Sequence, residues 1–257
     1  MELPKTRQEV KDYNPKLIVL FGKPKRGKST LAAALDSNLI LDLEDGYRSL
    51  SVMRMQPKSF ADIYEIHDMI IAEAKKNKKW PYKFITIDNA SRLEEMALPV
   101  AAQMYRNTPK GAGWGMIKDP KTGEKVPDPD ADVRNLPQGA GYQIIRDAVT
   151  ELLRKMRKVC STLILVAHVK DKQINIDGEE ITEMSIDLAG KLANIVAGEA
   201  DAVGLVYRQD NKTFISFKGG DGTVKEARPL HLRGQVFQVA ESDEDNNVTV
   251  DLSKIFI

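Results

Sequence analysis

The sequence predicts an α/β fold: a mainly parallel sheet with helices on both faces and an antiparallel strand pair near the C-terminus. Short apolar runs rich in Val, Ile and Leu recur along the chain, and stretches with helical spacing separate them. Parallel neighbours need crossover connections, which lay helices over both faces of the sheet. Two late runs joined by "QDN" read instead as the antiparallel pair.

Taken in order, "KLIVLF" is a buried strand, followed by a glycine-containing loop and the helical "KSTLAAAL". "NLILDLE" is a second strand. "SFADIYEIHDMIIAEAKK" has helical spacing, with Ser59 and Asp62 placed as a capping box. "KFITID" is a third strand. "SRLEEMALPVAAQMYR" is helical, with a kink expected at Pro99. In "GYQIIRDAVTELLRKMRKV", Ile145, Val149, Leu152, Met156 and Val159 form one apolar stripe. "STLILVAH" is a fourth strand and "DLAGKLANIVAGEA" a helix. "DAVGLVYR" and "KTFISFK" form the closing pair.

Two segments lack periodicity and read as long loops: about 107–140, rich in Pro, Gly and Lys, and about 169–186. The tail, about 241–257, reads as an acidic turn and an edge strand. The whole of 1–257 reads as one domain.

Charge is nearly balanced, with 38 Lys and Arg against 37 Asp and Glu, so any basic surface must come from local clustering. The one cysteine, Cys160, excludes an internal disulfide and fits a reducing cytoplasm. No apolar stretch is long enough for a membrane helix.

"GKPKRGKS", Gly22 to Ser29, fits G-x-x-x-x-G-K-[ST] between a strand and a helix. Gly22 and Gly27 allow a tight turn whose N–H groups point inward. Lys28 can reach β- and γ-phosphates, the Ser29 hydroxyl can bind Mg²⁺, and Thr30 faces the α-phosphate. Lys23, Pro24, Lys25 and Arg26 complete the expected ATP-binding loop. Asp88, ending the third strand, is the expected second carboxylate near Mg²⁺. Asn89 follows where many AAA+ ATPases carry Glu. The water-activating carboxylate is therefore sought in "LILDLEDGYRSL". Glu44 is the candidate, with Asp42 and Asp45 as rivals; alternation sets Asp42 and Glu44 on one side. His168, ending the fourth strand, is placed to sense the γ-phosphate.

These motifs, with "FITIDNASRL", "LPQGAGYQIIRDAV" and "LILVAHVKDK", resemble the RecA-type branch of P-loop ATPases, and among them the phage Sak4-like nucleotide-binding proteins. The resemblance spans roughly residues 16–235. It implies a RecA-like P-loop NTPase core and an ATP-hydrolysing protein that acts on single-stranded DNA in phage recombination or annealing. It further implies ring or filament homo-oligomers, a single-strand-binding or replication protein as partner, and a place in the host cytoplasm. It carries the catalytic glutamate onto Glu44 and the switch residue onto His168. "DAVGLVYRQDNKTFISFKGGDG" also resembles the last strands of hexameric helicases, whose trans-acting Lys falls on Lys218. Gly220 stands where they have Arg, so Arg208 or Arg228 are alternatives. Loops after the third and fourth strands hold DNA in such proteins. Lys110, Trp114, Lys118, Lys121 and Lys125 in the first segment, and Lys170 and Lys172 in the second, offer the cations and the aromatic group needed. Asp128, Asp130, Asp132, Asp177, Glu179 and Glu180 dilute that charge. The alternative function is a nucleotide-switched assembly factor, such as a helicase loader, that binds protein; a small-molecule kinase is a third.

Overall fold

The computed structural model describes residues 3, 5–7, 9, 11–176, 179–220 and 223–257, and the side chains of 174–181 are not described. In chain order the elements are β1 (Leu17–Phe21), α1 (Lys28–Ala33), β2 (Asn38–Asp42), β3 (Met53–Met55), α2 (Phe60–Asn77), β4 (Phe84–Asp88), α3 (Ala90–Met96) and α4 (Leu98–Arg106). Then come β5 (Met116–Lys118), β6 (Lys125–Pro127), α5 (Ala140–Met156), β7 (Thr162–Ala167), β8 (Val169–Ile176), β9 (Glu179–Ile186) and α6 (Leu192–Glu199). The last are β10 (Ala202–Gln209), β11 (Lys212–Ser216), β12 (Glu226–Ala227), β13 (Val236–Ser242) and β14 (Val248–Val250).

The main sheet runs β14-β13-β11-β10-β1-β7-β4-β2-β3, with β12 also on β10. From β10 to β3 all neighbours are parallel, so their C-terminal ends share one pole. From β10 through β11 and β13 to β14 the sheet is antiparallel. Alternation along β1 divides the core. Leu17, Val19 and Phe21 pack with residues of α2 to α6, whereas Ile18 and Leu20 pack with Leu31 of α1. The second face is closed by α1 and the C-terminal segment rather than by several helices, with Ile255 buried and Phe256 at 4.9 Å from the Phe84 ring.

The capping box at Ser59 and Asp62 is present. Pro99 lies in the first turn of α4, separate from α3, because a proline is tolerated there but not inside a helix. The second unpatterned segment is a correction. It is not an irregular loop but the hairpin β8–β9, whose register pairs Lys172 with Glu183. The Asp-Gly between two alternating runs was the overlooked hairpin cue; Asp177 and Gly178 themselves lie outside the described residues. The segment 107–140 holds a smaller hairpin, β5–β6, that sets Lys118 opposite Lys125. After the edge strand β14 the tail returns to its own chain, where the Ile257 N–H donates to Asn14 Oδ1 (2.8 Å).

Candidate functional site

β1 delivers the chain to the pole where the parallel strands end. Gly22 follows it, and a Cβ there would lie 2.3 Å from the Val206 carbonyl oxygen. Its role is close approach to β10, not a left-handed turn. That turn belongs to Gly27, at φ 93°, next to Lys25 at φ 59°. Gly27 brings no capping side chain to α1, so the N–H groups of Lys28, Ser29 and Thr30 remain available to an anion. Lys28 folds back over the loop, its Nζ donating to the carbonyls of Gly22 (2.8 Å) and Lys23 (2.9 Å). Burial holds its pKa below the ordinary lysine value, and Asp88 and Glu44 partly offset that.

Asp88 ends β4 beside Asp42 of β2. Its Oδ2 accepts from Ser29 Oγ (3.0 Å) and from the Tyr47 hydroxyl (2.7 Å). Burial pushes this carboxyl above the usual range, and the two hydroxyl donors pull it back. Two hard oxygen donors from Ser29 and Asp88, meeting beside a buried ammonium and free amides, fit a Mg²⁺ ion completed by phosphate and water.

β2 stops at Asp42, so the alternation expected through residue 44 does not hold. Asp42 is buried and accepts from Gly46 N (2.9 Å), Tyr47 N (3.3 Å) and Arg54 Nη1 (2.9 Å). It borders the cavity, but its oxygens are taken up in closing a turn. Asp45 is engaged by Arg48, Arg54 and Gln56. Glu44, at the tip of that turn, points to His168, with Oε2 3.6 Å from Nε2. His168 Nε2 also lies 2.9 Å from Asn89 Nδ2, while Asn89 Oδ1 caps α3 by accepting from Arg92 N (2.9 Å). With an amide donor on Nε2, the neutral ring carries its proton on Nδ1, which is buried without a partner among the described residues.

Lys28, Ser29, Glu44, Asp88, His168 and Arg208 thus surround one cavity of 370 Å³, with Pro24, Lys25 and Thr30 on its rim. Lys23 and Arg26 are exposed and do not line it. A larger concavity of 760 Å³ over β13 and β14 is lined by Glu241, Asp243, Glu244 and Asp251 and would repel a triphosphate.

The family model described as an AAA domain matches residues 14–228. The chain belongs to the AAA-domain family. As in a nucleotide-hydrolysing P-loop protein of that kind, its loop, Ser29 and Asp88 suit ATP and Mg²⁺. No curated protein matches it. Among solved structures, the RadB recombinase aligns over 92% of this chain and 91% of its own, at 11% identity and a TM-score of 0.48. That likeness is too loose to add to the topology described above.

The remaining candidates of this AAA-domain chain are placed as follows. Arg208 lines its own chain's cavity and donates to Ser242 Oγ (3.2 Å). Lys218 is exposed beyond the end of β11, which runs away from the cavity, about 17 Å further down the sheet than Thr213 at ~3.3 Å per residue. Lys110 and Lys118 are exposed. Trp114 is not a free platform, since it is half-buried edge-on against Tyr105 at 5.4 Å. Lys170 donates to the Leu188 carbonyl and lies 4.0 Å from Asp187, and Lys172 lies 4.0 Å from Glu183. Sequence reasoning missed Tyr47, Asn89 and Arg54 as builders of the site, and named Asp42 only as a rival base. The one available cue was that "DLEDGYR" packs acids, a turn and a tyrosine into seven residues.

Proposed function

We propose that this protein is a RecA-like ATPase that acts on single-stranded DNA in phage recombination or annealing, as the Sak4-like resemblance suggests. Mg²⁺, held by Ser29 and Asp88, would neutralise charge on the β- and γ-phosphates. Lys28 would leave the Gly22 and Lys23 carbonyls for the phosphates, and the first-turn amides of α1 would complete the cradle. Glu44 would orient a water and take its proton. Arg208 would reach the phosphates from the β10 side. Lys218 would act only across a contact between copies, in a ring or filament.

The observation that carries the reading is the chain of contacts from Glu44 through His168 into β8. His168, which Glu44 approaches, is one position from the start of the β8–β9 hairpin, so a change at the γ-phosphate would have a short route to the element proposed to contact DNA. Hydrolysis measured with and without single-stranded DNA tests it. Stimulation by DNA is expected, together with an ATP-dependent, salt-sensitive complex. Glu44→Gln should keep nucleotide binding and lower turnover at least about 100-fold. Normal hydrolysis by that variant, or no DNA effect, overturns the reading.

The pairing of Lys172 with Glu183 and of Lys170 with Asp187 favours a second reading, in which the hairpin meets a protein, as in a helicase loader. Recovery of a replication protein without DNA would select it.

A further inference from the structure

The pole opposite the cavity carries a run that the nucleotide site does not use. "KKNKKWPYK", Lys75 to Lys83, closes α2 and leads into β4. Lys75, Lys76, Lys78, Lys79 and Lys83 are exposed, and Trp80 keeps 44% of its surface. The end of α5 lies against this run, because the Ser161 N–H donates to the Lys83 carbonyl (2.9 Å), which brings Arg157 and Lys158 to the same pole. Lys16 joins them at the start of β1, where its carbonyl accepts from Leu163 N (2.9 Å). Among the described residues, none of these cations has a carboxylate within ion-pair distance. The carboxylates at this pole are few. Asp201 is taken up by Lys16 N and Arg228, Glu199 by Arg154 and Glu73 by Asn77, while Asp36 and Glu226 stand exposed.

A chain with a net charge of only +1 therefore concentrates positive charge at one pole, while Glu241, Asp243, Glu244 and Asp245 lie exposed where β13 ends at the other. Lys75 and Lys76 have an ordinary reason to be where they are, since they complement the C-terminal end of the α2 dipole. The same reason covers the C-cap Lys78, and Lys158 just past the C-cap of α5, but not Lys79 and Lys83, nor a large aromatic ring left half in water among them. Cations for phosphates around an aromatic face for a base are the two parts of a sequence-tolerant single-strand site, and a duplex keeps its base faces stacked away.

We propose that this basic pole binds single-stranded nucleic acid, with the lysines on phosphates and Trp80 stacked on a base, and that it does so without ATP. The site is separate from the hairpin contacts proposed above, which lie at the cavity pole and follow the nucleotide.

The full chain is titrated with an oligo-dT strand in the absence of nucleotide and Mg²⁺, following tryptophan fluorescence and strand anisotropy at several salt concentrations. Saturable quenching is expected in the wild type and its loss in Trp80→Ala, with affinity reduced about 5- to 150-fold. The double variant Lys78→Ala, Lys79→Ala should flatten the log–log salt dependence by about 1.4, two single-strand phosphate contacts at ~0.7 each. Because both lysine side chains are exposed, the double lysine variant should melt with the wild type. No binding without nucleotide, or binding indifferent to these substitutions, overturns the proposal. So does equal binding of duplex or heparin without Trp80 quenching, which marks a general polyanion surface. Salt-sensitive self-association abolished by the lysine variant would do so too, since the occupant would then be the acidic turn of a second copy. ATP-dependent binding that survives in these variants leaves the ATPase reading standing while this one falls. Nucleotide-free binding by a protein that hydrolyses no ATP gives the reverse result.

Discussion

Replacing Tyr47 with Phe isolates the hydroxyl that joins the Mg²⁺ ligand to the turn carrying Glu44. The ring is 1% exposed and packs with Ala32 of α1 and Ile40 of β2, so Phe keeps the volume. What is lost is the 2.7 Å bond to Asp88. A hydrogen bond to a charged acceptor contributes about 1.5–3 kcal/mol. At ~2–4 °C per kcal/mol for a chain of this size, melting of the nucleotide-free protein should drop by about 3–12 °C. The pH dependence follows from the raised carboxyl of Asp88. Its native form binds a proton more tightly than the unfolded chain, so its contribution to stability is full below the ordinary aspartate value of 3.8 and is lost as pH rises through the elevated native pKa. Mg²⁺ needs the ionised form, so metal-dependent nucleotide binding should fail on acidification at a higher pH than an ordinary carboxylate would cause. Tyr47 is one of the two donors that lower this pKa, and removing it should move the failure to still higher pH. The assay is a fluorescent ATP analogue titrated with Mg²⁺ from pH 4.5 to pH 8, beside thermal melts without ligand. Superimposable pH curves and equal melting temperatures for wild type and Tyr47→Phe would refute the coupling.

Lys28→Ala should abolish nucleotide binding measured by equilibrium dialysis, because it removes the one buried ammonium in the cavity; retained binding would mean the phosphates lie elsewhere. Gly22→Ala places a methyl 2.3 Å from the Val206 carbonyl and should destabilise by more than the ~1–3 kcal/mol typical of overpacking, with soluble yield and melting temperature as readouts. Cys160 is buried, and burial pushes its thiol from 9.0 to about 12. The native thiol thus holds its proton where the unfolded one has lost it, so stability should fall by about 1.4 kcal/mol per pH unit above pH 9. Urea melts of wild type and Cys160→Ala across pH 8–10.5 should differ in slope by that amount, and native protein at pH 8 should resist alkylation.

The parallel half of the fold was legible because its strands are buried on both faces, so each reads as an unbroken apolar run between helical stretches. "VFQVAES" in β13 and "MRM" in β3 lie toward the edges, where burial is partial and the apolar pattern thins out. The hairpin β8–β9 was misjudged for a related reason. It stands off the sheet, so its alternation carries Lys, Asp and Glu on positions that would be apolar in a strand with one face on the core. Only its pairing, not its hydrophobicity, marks it as a strand pair.

At the site, the residues that touch phosphate or metal lie within a fixed local spacing, from Gly22 to Ser29 and at a strand end, and spacing is what a sequence displays directly. The groups that aim them are joined across the sheet. Tyr47 reaches Asp88 over 41 positions, Asn89 reaches His168 over 79, and neither pairing leaves a local trace. Glu44 falls between these cases. The strand argument for it fails, because β2 ends two residues too early. The residue nevertheless arrives at His168, because Asp42 closes the turn on the N–H groups of Gly46 and Tyr47 and leaves the tip facing the cavity. What orients this glutamate is the bend that its neighbours impose. Loosening that bend through Arg54→Met, which removes a donor to Asp42 without touching Asp88 or the phosphate loop, should therefore slow turnover while leaving nucleotide affinity near the wild-type value. Loss of both together would place Arg54 in the binding site itself and count against the turn as the element that aims Glu44.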